Sequence, residues 1–240
     1  MTENFGTVFY EVISGSRAYG FANENSDLDY RGIFFPNLDA IYGLKAFKDP
    51  QESKDPDRVL YSFKKFVTLA IANNPNVLEL LWIDDPRLIV TNYSYMYFIK
   101  NIRRSFLSKL IFKTYLGYAT AQMHKIKNEG NCSQEMNSRR MEDIKKNGYD
   151  TKAASHVFRL LYQGIELAVY KNINIPLPDH EAKACREIRQ GKMHFNDFIS
   201  NVESLTRTFR YYETLTDLPE EPDTEAINDL MIEINKTFYR

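Results

Sequence analysis

Hydrophobic positions along the first third of the chain come in short β-prone runs rather than in helical rows. Thr7-Val8-Phe9-Tyr10-Glu11-Val12-Ile13 is dense in β-branched and aromatic residues and predicts a buried strand. A small-residue stretch from Gly15 interrupts it, and a second strand is expected from Asp27 through Leu28, Ile33, Phe34 and Phe35 to Pro36. Residues 36–57 carry Pro36, Gly43, Pro50 and Pro56 among polar and acidic positions and read as a long excursion between strands. Asp57 to Phe63 then has the short β-prone centre of a third strand. From Phe63 the period lengthens: Phe63, Phe66, Val67, Leu69, Ala70 and Ile71 share one helical face and leave Lys64 and Lys65 on the wet side. Asn74-Pro75 supplies a cap and a first-turn proline for the next helix, with Val77, Leu78, Leu80 and Leu81 as its apolar positions. Glu79 in that helix is expected to serve helix termini or a neighbouring arginine.

From Tyr93 onward the pattern is helical throughout. Segments near 93–101, 105–127, 134–147, 151–171, 179–190, 194–216 and 221–239 alternate apolar stripes with Lys, Arg and Glu. Breaks are expected at Gly130, Gly148, the stretch 172–178 with Pro176 and Pro178, Gly191, and between Pro219 and Pro222. Neither an internal repeat nor a low-complexity tract is visible. The pattern predicts an α+β chain, with strands and helices mixed over residues 1–92 and a helical domain over 93–240.

At 240 residues, the chain is long enough to bury a core without metal or disulfide staples. Cys132 and Cys185 are far apart and without ligand spacing, which argues against a zinc site or a disulfide framework and for a reducing, cytoplasmic setting. No basic amino-terminal leader and no 18-residue apolar run appears, so no membrane targeting is expected. The net charge of −1 conceals a polarity. Residues 1–99 hold 9 Lys/Arg against 13 Asp/Glu, residues 100–171 hold 14 against 6, and residues 203–240 hold 4 against 9. A carboxylate-rich first part beside a basic middle suits an enzyme that handles both a metal and a polyanion, and suits equally a solvated helical surface.

The densest chemistry lies between Gly15 and Asp29. Residues two apart in a strand face the same way, so Asp27 and Asp29 are expected side by side, roughly 6–7 Å apart along the backbone. Two carboxylates that close repel unless a cation lies between them, and a hard divalent ion bridging to phosphate oxygens is the usual one. Gly15 permits close backbone approach, and Ser16 offers a hydroxyl and an N–H to a phosphate.

Gly-Ser followed by Asp-x-Asp entering a strand resembles the signature of the DNA polymerase beta-type nucleotidyltransferase superfamily. The longer string Gly15-Ser-Arg-Ala-Tyr-Gly20 with Ser26-Asp-Leu-Asp-Tyr-Arg-Gly-Ile-Phe34 is similar to one branch of predicted nucleotidyltransferases, the RNA repair pathway DNA polymerase beta family. The similarity continues through Tyr61–Phe66, Asn74–Trp82 and Lys152–Leu161, so it spans roughly residues 8 to 192. It implies a small mixed-sheet catalytic core followed by a helical lobe, and Mg2+-dependent transfer of a nucleoside monophosphate from an NTP, ATP among the candidates. Two metal ions are implied, with Mn2+ as a workable substitute. Asp27 and Asp29 would be catalytic metal ligands. Superfamily members generally carry a third carboxylate on a following strand, and Asp57 is the choice here, with Asp55 left open and Asp39 and Asp49 read as loop acids. Gly15, Ser16 and Arg17 would bind the triphosphate, with Lys65 as a further phosphate contact.

On the 151–171 helix, Ala153, Val157, Leu160, Leu161, Gly164 and Ala168 form a core stripe. Lys152, His156, Arg159 and Gln163 share another face that would hold phosphate, with Tyr118 and Gln122 as possible neighbours. His156 and Arg159 are accordingly expected at the nucleotide. The acceptor implied is an RNA end, a transfer RNA foremost; a protein or small-molecule hydroxyl, or a non-catalytic RNA- or partner-binding role, are the alternatives. Arg189 and His194 match the spacing of HEPN-like ribonucleases, but Gly191 interrupts them. His124 and His180 lack companions at metal spacing and read as surface or packing residues.

Overall fold

A computed structural model describes residues 5–24, 26–44, 47–127 and 138–240, with the side chains of Lys127 and residues 138–140 not described. Gly130 and Cys132 lie outside the described residues. The chain divides into two compact units: a sheet unit, Met1–Ser108 with Glu221–Arg240, and a helical unit, Lys109–Glu220.

The sheet unit is built on one five-stranded mixed sheet. Its strands are β1 (Gly6–Ser14), β2 (Asp29–Pro36), β3 (Gln51–Lys54), β4 (Asp57–Ser62) and β5 (Ile89–Asn92), in the order β3-β4-β2-β1-β5. β1 runs antiparallel to both β2 and β5, while β2 and β4 are parallel. A parallel pair needs a crossover, and the Pro-rich excursion supplies it. That excursion is more structured than its composition suggests: it holds a short helix at Leu38–Tyr42 and the edge strand β3. β5 is likewise a strand that the pattern did not announce, four residues long at the other edge.

One sheet face is closed by aromatic packing. Phe35 stacks on Phe9 at 4.4 Å and on Phe238 at 4.0 Å, with Phe63 edge-on at 5.4 Å. Phe238 ends the C-terminal helix (Thr224–Phe238), and the hydroxyl of Tyr239 donates to the Pro36 carbonyl at 2.6 Å, so the end of the chain belongs to the sheet unit. The helix at Phe63–Ile71 forms as its period predicts, with the Ser62 hydroxyl accepting from the Lys65 N–H. Asn74 caps the Pro75–Leu78 turn by accepting from the Asn76 N–H at 3.1 Å. Glu79 is buried and accepts from the Tyr19 hydroxyl at 2.7 Å.

The helical unit contains, among its described residues, helices at Leu110–Lys127, Ser138–Asn147, Thr151–Tyr170, Asp179–Arg189 and Phe195–Glu213. The Thr151–Tyr170 helix is its hub, capped by Asp150 Oδ1 accepting from the Ala153 N–H at 2.9 Å. The predicted core stripe of that helix is buried. Arg189 ends one helix, and His194 precedes the next, with Gly191 in the left-handed region between them. Among the described residues no helix is long and apolar enough to cross a membrane.

Candidate active site

The last residue of β1, Ser14, pairs with the first of β2, Asp29, and Asp29 pairs on its other side with the first of β4, Asp57. Three strand ends therefore converge at one end of the sheet. Paired residues on adjacent strands project to the same face about 4.8 Å apart, so the Asp29 and Asp57 carboxylates are neighbours. Beyond Ser14 the chain turns at Gly15, whose φ of +67° favours glycine. A Cβ at this position would overlap a carboxylate oxygen of Asp29. The Gly15-Ser16 backbone thus lies against the Asp29 side chain, which only a missing side chain permits.

Gly15–Ala18 forms a single helical turn, and the loop after it is braced internally. Arg17 Nη2 donates to the Ser26 carbonyl at 2.8 Å, and the Asn23 N–H donates to Ser26 Oγ at 2.9 Å. Arg17, expected on a phosphate, is here a loop brace. Asp27 lies in the segment just before β2 and not in the ladder, which begins at Asp29. The side-by-side strand geometry expected for Asp27 and Asp29 is corrected accordingly: Asp29 is held by two strand partners, Asp27 by the braced loop that leads into it.

Asp57 has a companion that sequence reasoning missed. Arg31 Nη1 lies 3.1 Å from Asp57 Oδ1 and also donates to the Tyr30 carbonyl at 2.7 Å. The signal was available, since Arg31 stands two residues after Asp29 on the same strand and must share its face. The other loop acids are elsewhere. Asp49 accepts from the Ser62 N–H at 3.1 Å and from its hydroxyl at 2.5 Å, at the opposite end of β4, while Asp39 and Asp55 are exposed. Lys65 lies in the first turn of the helix that follows that far end, Ser62 being about 17 Å along the strand from Asp57. The structure does not bring Lys65 to the carboxylates through β4.

Carboxylate oxygens are the donors a hard cation prefers, and the Gly15-Ser16 turn beside Asp29 offers its N–H groups to the phosphate oxygens that such a cation would bridge. In kind and adjacency, Asp29 and Asp57 fit a magnesium ion. Among the described residues, no group of three or more His, Cys, Asp or Glu side chains is gathered as a ready-made metal cluster.

His156 and Arg159 belong to the helical unit. Arg159 is 1% exposed; its Nη1 donates to Gln163 Oε1 at 2.8 Å, and its Nη2 lies 3.1 Å from His156 Nδ1. A guanidinium can only donate, so Nδ1 of His156 accepts and the ring proton sits on Nε2. Burial first, then the charges of Arg159, Lys125 and Lys152, push the imidazole pKa well below its usual value. The ring is neutral at pH 7 in a positive field, and Lys152 is exposed beside it.

Over 80 residues the chain is 34% identical to the uncharacterized protein YcgL of Bacillus subtilis (strain 168), a stretch that covers 32% of this chain and 31% of that protein. The chain therefore matches about a third of the length of that curated relative. No solved structure matches. The family defined as RNA repair pathway DNA polymerase beta family matches residues 2–233, nearly the whole sequence, and with the Gly-Ser turn set against the Asp29 carboxylate the chain belongs to that family.

Proposed function

We propose that this protein transfers a nucleoside monophosphate from an NTP to a hydroxyl at an RNA end, a transfer RNA being the first acceptor to test. Membership of the family points to a DNA polymerase beta-like nucleotidyltransferase of an RNA repair pathway. The observation that carries the finer reading is the register Ser14–Asp29–Asp57, which gathers a small-residue turn and two carboxylates at one sheet end. Asp27, Asp29 and Asp57 would hold Mg2+, which supplies charge neutralisation at the triphosphate and at the attacking oxygen.

The chain's own part is positioning. The Gly15-Ser16 turn offers N–H groups and a hydroxyl to the β- and γ-phosphates next to Asp29. The acceptor hydroxyl forms a bond to the α-phosphorus as the bond to the bridging oxygen of the β-phosphate breaks, and pyrophosphate departs with that electron pair. The hydroxyl proton passes to a carboxylate, for which Asp57 is the candidate. Arg31, already on Asp57, limits the negative charge that accumulates there. On the helical unit, exposed Lys152 beside the His156–Arg159 pair would take an RNA phosphate.

The test is incubation of purified protein with Mg2+ and each α-labelled NTP, offered total transfer RNA, the protein itself and a protein lysate. Asp29→Ala is expected to reduce labelling by about a thousandfold or more while the melting temperature stays near wild type. Label on RNA that depends on Asp29 supports the proposal. Label on protein moves the acceptor to a protein hydroxyl, and equal labelling by Asp29→Ala removes Asp29 from the chemistry.

A further inference from the structure

Glu11 lies in the middle of β1, an interior strand, with its side chain 8% exposed. Its partner is Arg58, two strands away on β4. The guanidinium holds both carboxylate oxygens, Nε to Oε1 at 2.5 Å and Nη2 to Oε2 at 3.0 Å. To do so it crosses β2, where the residue opposite Glu11 is Gly32. Gly32 also pairs with Leu60 on β4, so it stands between the two strands that the ion pair joins. A Cβ there would lie 2.6 Å from the Tyr10 carbonyl oxygen and 2.8 Å from Leu60 Cδ2. The bare position at Gly32 keeps the three strands close under the crossing.

Glu11 is buried and Arg58 half-buried, and an ion pair so placed adds little stability, because the water that the carboxylate loses offsets the attraction. What it supplies is register. β4 needs that supply: it is held by a parallel ladder to β2 and by four-residue β3, whose residues are half-buried or exposed. A slip of one residue would turn Asp57 to the other face of the sheet. Residues 57 and 58 are instead clipped on opposite faces, Asp57 by Arg31 and Arg58 by Glu11.

We propose that Glu11 and Arg58 are positioning residues that hold β4 in the register placing Asp57 beside Asp29. This rests on the nucleotidyl transfer proposed above, with Asp57 as a member of the site. The pair touches no reacting atom and acts only through the strand that carries Asp57.

The experiment compares full-length wild type, Glu11→Gln and the swap Glu11→Arg with Arg58→Glu. Three quantities are read: label transfer with its kcat and KM, Mn2+ affinity by electron paramagnetic resonance, and amide hydrogen exchange. Glu11→Gln is expected to lower kcat by about 10- to 100-fold with the NTP KM within about twofold, and to weaken Mn2+ binding by about tenfold. Exchange should accelerate at residues 58–62 and stay unchanged where β1 pairs with β5. The swap should recover most of the lost affinity and rate. Should Glu11→Gln fail to fold, Arg58→Lys, which keeps the charge and loses the fork, is read the same way. Wild-type kcat and Mn2+ affinity in these variants, or faster exchange spread evenly through the sheet unit, would overturn the proposal. If wild type labels no acceptor, the transfer reading fails, and local exchange at β4 with Mn2+ affinity still decides the strap.

Discussion

Two acids, exposed Asp84 in one unit and buried Glu181 in the other, are treated in opposite ways. Asp84 in the sheet unit is pushed up by burial, yet Lys100 at 2.9 Å and Arg103 at 2.9 Å outweigh that and hold its carboxyl below the usual range. Glu181 in the helical unit is pushed up to about 7, by burial first and then by the charge of Glu166. One of its oxygens, Oε2, has no hydrogen-bond partner among the described residues. Glu166 is itself raised by burial, although it accepts from the Asn174 backbone N–H at 3.0 Å and from its side-chain amide. The sheet unit also supplies a cation to Glu11 and to Asp57. The contrast teaches how the surroundings set a carboxylate's charge: two cations keep Asp84 ionised, whereas Glu181 meets burial and a second carboxylate and holds its proton.

The largest effect expected to sharpen this contrast is at Gly15. Gly15→Ala places a methyl into the Asp29 carboxylate at a φ of +67°. Nucleotide transfer should fall by about a hundredfold or more, since a displaced carboxylate loses the reacting geometry. The helical unit should melt as before, and undiminished transfer would show that the turn does not need to meet Asp29.

Next in size is Arg159→Met, which removes a fully buried guanidinium from Gln163 and His156. A purely structural arginine predicts a loss of about 3 kcal/mol of stability with KM for NTP unchanged. A nucleotide-binding arginine predicts a raised KM in the protein that remains folded. Chemical denaturation and NTP titration on one sample separate the two, and the second outcome would break the contrast by giving the helical core a ligand.

The smallest effect concerns Glu181. Its folded pKa lies above the unfolded value, so its protonated form contributes stability that is present at low pH and is lost as pH rises from about 4.5 through about 7. Glu181→Gln should therefore flatten the fall in stability between pH 5 and pH 8, a difference of about 2 kcal/mol at the alkaline end. Asp84 has the opposite sign, its contribution being present at neutral pH and lost as pH falls below the ordinary carboxylate range. An unchanged pH profile in Glu181→Gln would show that its carboxyl is hydrated.

Much of the local structure was legible because it rests on short-range chemistry. The Phe63–Ile71 helix, the Asn74 cap and the β1 strand follow from period, cap and β-branched density. The Leu38–Tyr42 helix, β3 and β5 were not legible. Each is only four or five residues long and formed mainly by what it packs or pairs with. Site residues divide the same way. Gly15, Asp27 and Asp29 announce themselves by composition and spacing, whereas Glu11, Arg31 and Arg58 read as ordinary strand charges until the ladder shows their partners.

By itself, the sequence determined the residue types at the candidate site, the strands and helices with strong periods, and the family whose pattern they carry. Tertiary structure alone decided that Asp57 stands opposite Asp29, that Arg159 is buried, and that the C-terminal helix closes on Phe35 of the sheet unit. The reason is range. Periodicity and caps act over three or four residues, whereas strand register, ion pairs across a sheet and aromatic stacking join residues tens to hundreds apart, and no local pattern encodes which of many possible partners is met.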